Sequence, residues 1–311
     1  MSDNAIEVSG LVKNFGAVHA LQGLDLAVPT GQVTGFLGPN GSGKTTTIRI
    51  LLGLIRADGG HASLLGGNPW TQAVQLHKRL AYVPGDVALW PNLTGGAIID
   101  VLGALTGGLD KQRRAEMAER FQLDLSKKAG TYSKGNRQKV ALVAALASRS
   151  ELLLLDEPTS GLDPIMEAEF QAVIREVKAE GRSVLLSSHI FAEVESLADT
   201  VVIIREGRTV EQGTLASLRH LAQTQVRIAV DNPAAVQAIP GLHGFRVVGS
   251  DATFGVDSAD LPAVMAALAA LKPASLVANP PSLEEIFLSH YADEMGNTGS
   301  AGVPASTGAT K

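Results

Sequence analysis

The chain has 311 residues, of which 45% are hydrophobic and 18% are charged, and its formal net charge is −5. This length can bury a full core in one large domain or two smaller ones. The acidic balance argues against a protein held on duplex nucleic acid by phosphate contacts, so no nucleic-acid partner is expected. The lack of cysteine excludes a disulfide framework and a cysteine-ligated metal.

No targeting segment or membrane span is expected from the sequence. The start, MSDNAIEVSG, lacks a basic region followed by an apolar core. The longest apolar runs, near residues 140–147 and 262–271, are shorter than the roughly 20 residues that a membrane helix needs. We therefore expect a protein that is soluble by itself.

The pattern of apolar residues changes along the first two thirds of the chain. Residues 6–28 alternate apolar and polar, which predicts short antiparallel strands. From Val33 onward, short apolar strands separated by helices predict parallel βαβ units. Residues 95–150 are mostly helical in pattern and too long for a simple crossover, so they predict an inserted helical subdomain. The predicted core strands are residues 33–37, 152–156, 184–188 and 201–205.

A break near residue 214 predicts a second, smaller domain. Within residues 215–292, a strand pattern at 225–230 and the helical run LPAVMAALAAL predict a small α+β domain. Ser282 stands three residues before Glu285, which is the spacing of a capping box at a helix start. Residues 293–311 are rich in Gly, Ser and Thr and are expected to be disordered.

The stretch GPNGSGKTT at residues 38–46 is the strongest motif in the chain. It fits G-x-x-x-x-G-K-[ST], follows a predicted strand and precedes a predicted helix, which predicts a triphosphate-binding loop of a P-loop NTPase. The glycines let the backbone N–H groups curl around an anion. Lys44 is expected to reach the β- and γ-phosphates, and Thr45 to place its hydroxyl on Mg²⁺. The predicted nucleotide ligands from this loop are Gly38, Pro39, Asn40, Gly41, Ser42, Gly43, Lys44, Thr45 and Thr46.

Two carboxylates and a histidine stand at the ends of later strands. Asp156 and Glu157 end the apolar run LLLLDE, and such a pair is costly unless a cation meets it. Asp156 is expected in the Mg²⁺ shell, and Glu157 is expected to be the general base that polarises the attacking water. His189 ends the strand VLLSSH, where we expect it to contact the γ-phosphate and fix Glu157. A helix-capping role for the acidic pair and a structural role for the histidine are the alternatives.

The P-loop, LLLLDEPTSGLD and the intervening YSKGNRQKV together resemble the ATP-binding subunit of ABC transporters, over roughly residues 5–214. The resemblance implies a P-loop core of mixed sheet with an antiparallel β subdomain and an inserted helical subdomain. It also implies that YSKGNRQKV binds the γ-phosphate of ATP held by a second subunit, either a copy of this chain or a homologue. The residues implied at that second contact are Ser133, Lys134, Gly135 and Asn136.

The chain departs from the family pattern at three places. The signature, usually Leu-Ser-Gly-Gly-Gln, is Tyr132 to Asn136, with Lys134 adding a positive charge. The adenine-stacking aromatic of the family, often tyrosine, corresponds to Phe15, which keeps the ring but lacks the hydroxyl. The alternative is that Phe15 is a core residue. The glutamine usual after the loop proline is replaced by Gly85, followed by Asp86. Our hypothesis is that Asp86 supplies an oxygen to the metal, the alternative being that it caps the next turn.

The second domain and its closing PSLEEIFLSHY resemble exporters whose membrane part is a separate chain, among them the tetronasin-type antibiotic exporters. This implies an ATP-hydrolysing subunit, with ATP and Mg²⁺, that powers export of a drug, antibiotic or lipid-like compound through an integral membrane permease. Such a subunit lies at the cytoplasmic face of the membrane. Residues 87–105, including Trp90, are implied to contact a short cytoplasmic helix of the permease.

Other classes are less well supported by the sequence. A soluble ABC-type ATPase acting on DNA or ribosomes usually has two nucleotide sites or a long coiled coil, and this chain has one site and no heptad run. A GTPase is disfavoured because no Asn-Lys-x-Asp motif is present. A third alternative is a regulatory module that closes on ATP without hydrolysing it. The missing loop glutamine keeps this alternative in consideration.

Overall fold

The computed structural model describes residues 3–219, 223–230, 232–249 and 251–287. The chain divides into two compact units, Met1–Leu215 and Ala216–Lys311, one residue from the boundary expected from the sequence. The predicted tail at 293–311 and the end of PSLEEIFLSHY lie outside the described residues. In the described part of the chain, every helix is too short or too polar to cross a membrane.

The first unit is built from strands and helices, among them the four core strands that the sequence predicts. Its strands are β1 (Asn4–Phe15), β2 (Val18–Pro29), β3 (Val33–Leu37), β4 (Gly59–Leu64), β5 (Leu80–Val83), β6 (Leu152–Asp156), β7 (Ser183–Ser188), β8 (Thr200–Arg205) and β9 (Arg208–Thr214). Its helices are α1 (Lys44–Leu51), α2 (Ala73–Leu76), α3 (Gly95–Leu105), α4 (Lys111–Arg120), α5 (Lys134–Leu146), α6 (Pro164–Ala179) and α7 (Phe191–Leu197), and a 3₁₀ turn covers Ala129–Thr131. Helix α8 (Leu215–Arg219) begins at the boundary.

Two sheets form the first unit. One is antiparallel, in the order β2-β1-β4, as the alternating pattern of residues 6–28 predicts. The other has the order β5-β6-β7-β3-β8-β9, parallel except for the edge strand β9. The α/β class with a P-loop core and an antiparallel subdomain is thereby confirmed. Because β3, β6 and β7 are neighbours, the segments that follow their carboxyl ends meet at one edge of the sheet.

Helix α1 is held between the two sheets. Its residues Ile48 and Leu51 are buried in one apolar cluster with Phe36 of β3 and with Leu24 and Leu26 of β2. Burying side chains of this size stabilises the folded state by about 1.5–3 kcal/mol each. The amino end of α1, where the P-loop enters, is therefore set by both sheets.

The inserted helical segment contains α3, α4 and α5, with α3 and α4 both packed on α5. Thr94 and Asp110 cap the first turns of α3 and α4, because their side chains accept backbone N–H bonds there. At the other end of α5, Arg113 and Arg182 donate to the carbonyl oxygen of Leu146. Two guanidinium groups at the carboxyl end of α5 interact favourably with the helix dipole and anchor the helix to the core.

The second unit contains an antiparallel sheet and several helices. Its elements are β10 (Thr224–Ala229), α9 (Pro233–Gln237), β11 (Leu242–Val248), β12 (Asp251–Val256), α10 (Leu261–Ala270) and β13 (Ser275–Asn279), with the sheet order β11-β12-β10-β13. Phe254 of β12 and Leu268 of α10 are buried in its core. The predicted capping box is present: Ser282 N donates to Glu285 Oε2, and Glu285 N donates to Ser282 Oγ.

Candidate nucleotide-binding and catalytic site

The P-loop leaves β3 and ends at the first residue of α1. Gly41 and Gly43 have φ values of 81° and 112°, a region that L side chains rarely adopt. A Cβ on Gly43 would lie 2.7 Å from Leu21 Cδ2, and one on Gly38 would lie 2.3 Å from the Ile204 carbonyl oxygen. The loop is therefore restricted to glycine at these positions, which keeps side chains clear of its backbone N–H groups, as an anion-binding loop requires.

Lys44 is the first residue of α1, and its ammonium lies inside the loop. Only 5% of the residue is exposed, and its Nζ donates to the carbonyl oxygens of Gly38 at 2.6 Å and Pro39 at 3.2 Å. Burial lowers the pKa of this ammonium, while Glu157 and Asp156 act in the opposite direction. A desolvated cation beside bare N–H groups attracts a polyanion strongly, because little water screens it.

Asp156 ends β6 and is almost fully buried. Thr45 Oγ1 donates to its Oδ2 at 3.1 Å, and Ser187 Oγ donates to its Oδ1 at 2.9 Å. A hydroxyl beside a carboxylate is an all-oxygen donor pair, which fits a hard divalent cation such as Mg²⁺. Across the described residues, no group of three or more His, Asp or Glu side chains is arranged to hold a metal. A cation here would need further oxygens from a nucleotide and water.

Glu157 has a backbone conformation that is unfavourable for a residue with a side chain. Its φ is 50°, and a left-handed conformation costs about 1–2 kcal/mol for an L-residue. Its N–H donates to the Ser187 carbonyl oxygen at 2.9 Å, and its own carbonyl accepts from Ser160 N at 3.1 Å. Strained backbone of this kind clusters at active sites, where neighbouring contacts hold it.

His189 follows β7 and contacts Glu157 as the sequence predicts. Its Nδ1 lies 3.1 Å from Glu157 Oε1, and about half of the imidazole is exposed. Ser188 Oγ accepts from Ile190 N and donates to Glu193 Oε2 at 2.7 Å. The turn that carries His189 is thus tied to α7 through a buried carboxylate.

One cavity of about 210 Å³ surrounds the P-loop. It is lined by Val18, His19, Ala20, Asn40, Gly41, Gly43, Lys44, Thr45, Thr46 and Glu157. His19 was not singled out from the sequence, and its Nδ1 lies 2.6 Å from Asn14 Oδ1. Ser42 Oγ is buried, and within the described residues it has no hydrogen-bond partner. An unpaired buried hydroxyl in the loop fits a phosphate oxygen as its partner.

Phe15 stands at the end of β1 with 48% of its surface exposed. The alternative that it is a core residue is therefore wrong. The Lys13 ammonium lies 5.4 Å from the centre of the ring, within cation–π range. An exposed ring of this kind suits stacking against a planar base, which stays a prediction.

The YSKGNRQKV segment forms the amino end of α5. Ser133 is the N-cap, and its Oγ accepts from Asn136 N at 3.3 Å. A Cβ on Gly135 would lie 2.4 Å from the Gly161 carbonyl oxygen, so glycine is required there. Lys134 Nζ donates to Ser160 Oγ at 2.9 Å, so its ammonium contacts the segment after Glu157. The lining of the cavity around the P-loop contains none of the four predicted signature ligands, Ser133 to Asn136.

The loop after β5 packs beside the two carboxylates. A Cβ on Gly85 would lie 3.1 Å from the Asp156 carbonyl oxygen and 3.6 Å from Glu157 Cβ. The side chain of Asp86 is exposed, and that of Trp90 is 52% exposed. The position of the missing glutamine therefore borders Asp156 and Glu157, whereas the role of Asp86 toward a metal stays a prediction.

Sequence reasoning missed four residues that organise this site. They are Ser187, Ser188, Glu193 and Gln138. The pair of serines directly before His189 was the only local signal, because hydroxyls at a strand end beside two carboxylates serve as donors. Neither the glutamate nor the glutamine was singled out by the motifs on which the sequence predictions relied.

Glu193 generates a prediction on pH. Burial raises the pKa of its carboxyl, against hydrogen bonds from Ser188 and Thr159. A raised pKa in the folded state means that the protonated form favours folding, and this advantage is lost as pH rises through the folded-state pKa. We expect Glu193→Gln to be more stable than the parent chain near neutral pH, with the difference shrinking as pH falls towards the ordinary value of 4.5.

Urea unfolding at a series of pH values measures this difference. Glu7→Gln, which removes an exposed carboxylate on β1, is the control and should leave the unfolding midpoint unchanged. A stability difference that is the same at every pH would contradict the assignment.

Solved structures with this fold are ATP-binding cassettes. The structure of an ATP-binding subunit of an ABC transporter superposes with a TM-score of 0.65 at 31% identity, covering 70% of this chain and 92% of that chain. A dimeric ATP-binding cassette in a post-hydrolysis state, bound to ADP and Pi, superposes with a TM-score of 0.61 at 20% identity. It covers 68% of this chain and 98% of that chain, and supports the fold alone.

Sequence comparison gives the family. The profile of a family described as ABC transporter matches residues 21–160. The daunorubicin/doxorubicin resistance ATP-binding protein DrrA of Streptomyces peucetius is 37% identical over 220 residues, covering 69% of this chain and 67% of that protein. The daunorubicin resistance ATP-binding protein DrrA3 of Streptomyces coeruleorubidus is 35% identical over 312 residues, covering 94% and 98%. With a P-loop, an acidic strand end and a signature helix in one sheet-and-helix frame, the chain belongs to the ABC transporter family as an ATP-binding, ATP-hydrolysing subunit.

Proposed function

We propose that this chain hydrolyses ATP with Mg²⁺ to power export of a drug or antibiotic through a separate membrane permease. The observation that carries the chemistry is the convergence of Lys44, the Thr45–Asp156 pair and the Glu157–His189 pair at one sheet edge. The cargo class rests on the two drug-resistance ATP-binding proteins described above, one of which matches along nearly the whole chain. The proposed cargo class includes lipid-like compounds.

The residues divide the work on ATP by charge and position. The P-loop N–H groups, Ser42 and Lys44 hold the triphosphate, because they place donors and one desolvated cation around it. Thr45 and Asp156 would hold Mg²⁺ through oxygen atoms, with Ser187 orienting the carboxylate. When bound, the metal neutralises charge that develops on the phosphate oxygens. Phe15 stacks on adenine.

Glu157 is proposed as the general base and His189 as its orienting partner. The contact of 3.1 Å between Nδ1 and Oε1 fixes the carboxylate at the sheet edge. From there it polarises a water for attack on the γ-phosphate, while the other imidazole nitrogen faces that phosphate. Ser188 and Glu193 hold the turn on which the histidine stands.

The second anion site implies a pair of subunits. Ser133, Gly135 and the amino end of α5 are absent from the lining of the P-loop cavity of their own chain. We infer that they complete the site of the partner subunit, because a helix amino end carries about +0.5 charge and bare N–H groups. Two-fold symmetry then gives two equivalent sites, each with Lys44 from one chain and Ser133 from the other.

An apolar groove is the proposed docking place for a helix of the permease. It has a volume of about 230 Å³, and its apolar lining comes from the segment after α1 and from β5, α3 and α5: Leu52, Leu54, Leu80, Leu102, Leu105, Ala141 and Ala144. Leu54 and Leu105 are more than 60% exposed, and Trp90 is also exposed. Exposed apolar surface beside a groove is typical of a helix-binding site. This docking places the chain at the cytoplasmic face of the membrane.

Glu157→Gln is the test of the catalytic assignment. We expect hydrolysis to fall at least about 100-fold, because the general base is lost, with ATP binding unchanged. With ATP and Mg²⁺ the variant should accumulate as a closed pair, measured by mass photometry or native mass spectrometry. Adding Ser133→Arg should prevent this pair while leaving ATP binding intact. Turnover near the parent rate would contradict the assignment of Glu157 as general base. A pair that still forms with Ser133→Arg would contradict the shared site.

Leu105→Asp tests the groove. A charge at the rim of the groove should strongly reduce the amount of integral membrane protein that co-purifies with this chain from detergent-solubilised membranes. ATP binding should be unaltered. Val248→Asp alters another largely exposed aliphatic residue, in the second unit, and is the control. Equal recovery of that membrane protein with both variants would exclude the groove as the docking place.

Asp86→Ala tests the metal hypothesis. If Asp86 supplies an oxygen, hydrolysis by the variant should need a higher Mg²⁺ concentration to reach half its maximal rate, because one ligand is lost. Asp260→Ala, which changes an exposed aspartate in the second unit, is the control. An unchanged Mg²⁺ dependence would mean that Asp86 only caps the following turn.

A further inference from the structure

Gln138 is a buried polar residue with no assigned role. It lies on α5, five residues after Ser133, and only 1% of it is exposed. Its Nε2 donates to the Pro158 carbonyl oxygen at 3.0 Å, and the Pro84 carbonyl oxygen is 3.4 Å away. Pro158 directly follows Glu157, and Pro84 directly precedes Gly85. One amide group therefore joins α5 to the two loops that border the catalytic carboxylates.

These contacts bear on the strained backbone of Glu157. The left-handed residue is held on one side by Ser187 of β7 and on another by the turn to Ser160. The third restraint acts on the next residue and comes from Gln138. Of these three hydrogen bonds, the one to Pro158 is made by the inserted helical segment, whose Lys134 also donates to Ser160 Oγ. A strained conformation persists only where its surroundings determine it, so losing one restraint weakens it.

The loop after β5 cannot itself hold the segment after Glu157 through a side chain at position 85, because that residue is glycine. This glycine packs on the Asp156 carbonyl oxygen, where a Cβ would already be 3.1 Å away. A glutamine amide is nevertheless present between this loop and the segment after Glu157. It belongs to Gln138 of α5, and it contacts the carbonyl oxygens of Pro84 and Pro158.

We propose that Gln138 is a positioning residue that holds Glu157 in its active conformation while α5 packs against the core. Gln138 thereby links the amino end of α5, which bears Ser133, to hydrolysis. The inference rests on the proposed role of Glu157 as general base. Movement of α5 relative to the core stretches the Gln138–Pro158 hydrogen bond. The carboxylate is then released from its place at the γ-phosphate.

Gln138→Met and Gln138→Glu in the full-length chain test this. Both keep the length of the side chain and remove its amide donor. We expect kcat for ATP to fall at least about 10-fold, with KM changed less than about 3-fold, because binding groups are untouched. In the Glu157→Gln background, Gln138→Met should cause no further fall, because it acts through that carboxylate.

The pH profile separates positioning from a general loss of packing. In the Gln138→Glu variant, the new carboxyl group gains an O–H when it is protonated, and this O–H donates to the Pro158 carbonyl oxygen. The kcat of this variant relative to the parent should therefore rise as pH falls. Gln138→Met has no donor at any pH and should show no such recovery. Ser148→Ala removes a different buried polar group, a hydroxyl that donates to the Ala145 carbonyl oxygen, and should leave kcat near the parent value.

The outcomes distinguish this inference from the function on which it rests. Retained hydrolysis by Glu157→Gln would remove the general base and with it the basis of the inference. Loss of hydrolysis by Glu157→Gln together with normal kcat for both Gln138 variants would overturn the role of Gln138 alone. If Gln138→Met fails to fold, the pH profile of Gln138→Glu decides, and a flat profile counts against the proposal.

Discussion

The site depends on the hydrogen-bonded register of three neighbouring parallel strands. Asp156 of β6 pairs with Ser187 of β7, and Leu37 of β3 pairs with Ser188. This register brings the start of the P-loop, the acidic pair and the histidine turn to one level at the carboxyl edge of the sheet. A slip of one residue would turn each side chain to the other face of its strand. The same register places the Ser187 hydroxyl on Asp156 and its carbonyl on the Glu157 N–H.

The frame around this edge is rigid where the chemistry needs positioning. Helix α1 is packed between two sheets, so Lys44 and Thr45 are carried on an element with little freedom. Hydroxyl groups satisfy both oxygens of Asp156, which orients the carboxylate before any ligand arrives. Preorganised dipoles of this kind need no rearrangement at the moment of reaction. The strain in Glu157 is the exception, and several neighbouring hydrogen bonds hold it in place.

Helix α5 connects three regions of the first unit. Its amino end carries Ser133, its middle contacts Pro158 through Gln138, and the face with Ala141 and Ala144 lines the apolar groove. Arginine side chains anchor its carboxyl end. In the function proposed for this chain, a partner in the groove and an anion at the helix tip would both act on one rigid body. A helix is stiff along its axis, so displacement at one end reaches the other.

Elements and motifs that depend on short-range patterns could be predicted from the residues alone. These include β3, β6 and the P-loop between residues 38 and 46, because apolar periodicity, glycine spacing and strand ends are local. The Glu157–His189 contact was also predicted, from the position of the histidine at a strand end of a nucleotide-binding sheet. The reach of Gln138 to Pro158 emerged only from the folded chain, and the exposure of the Phe15 ring decided between two alternatives that the sequence left open. Both depend on which distant segments pack together, and no local pattern encodes the burial or the partner of a single side chain.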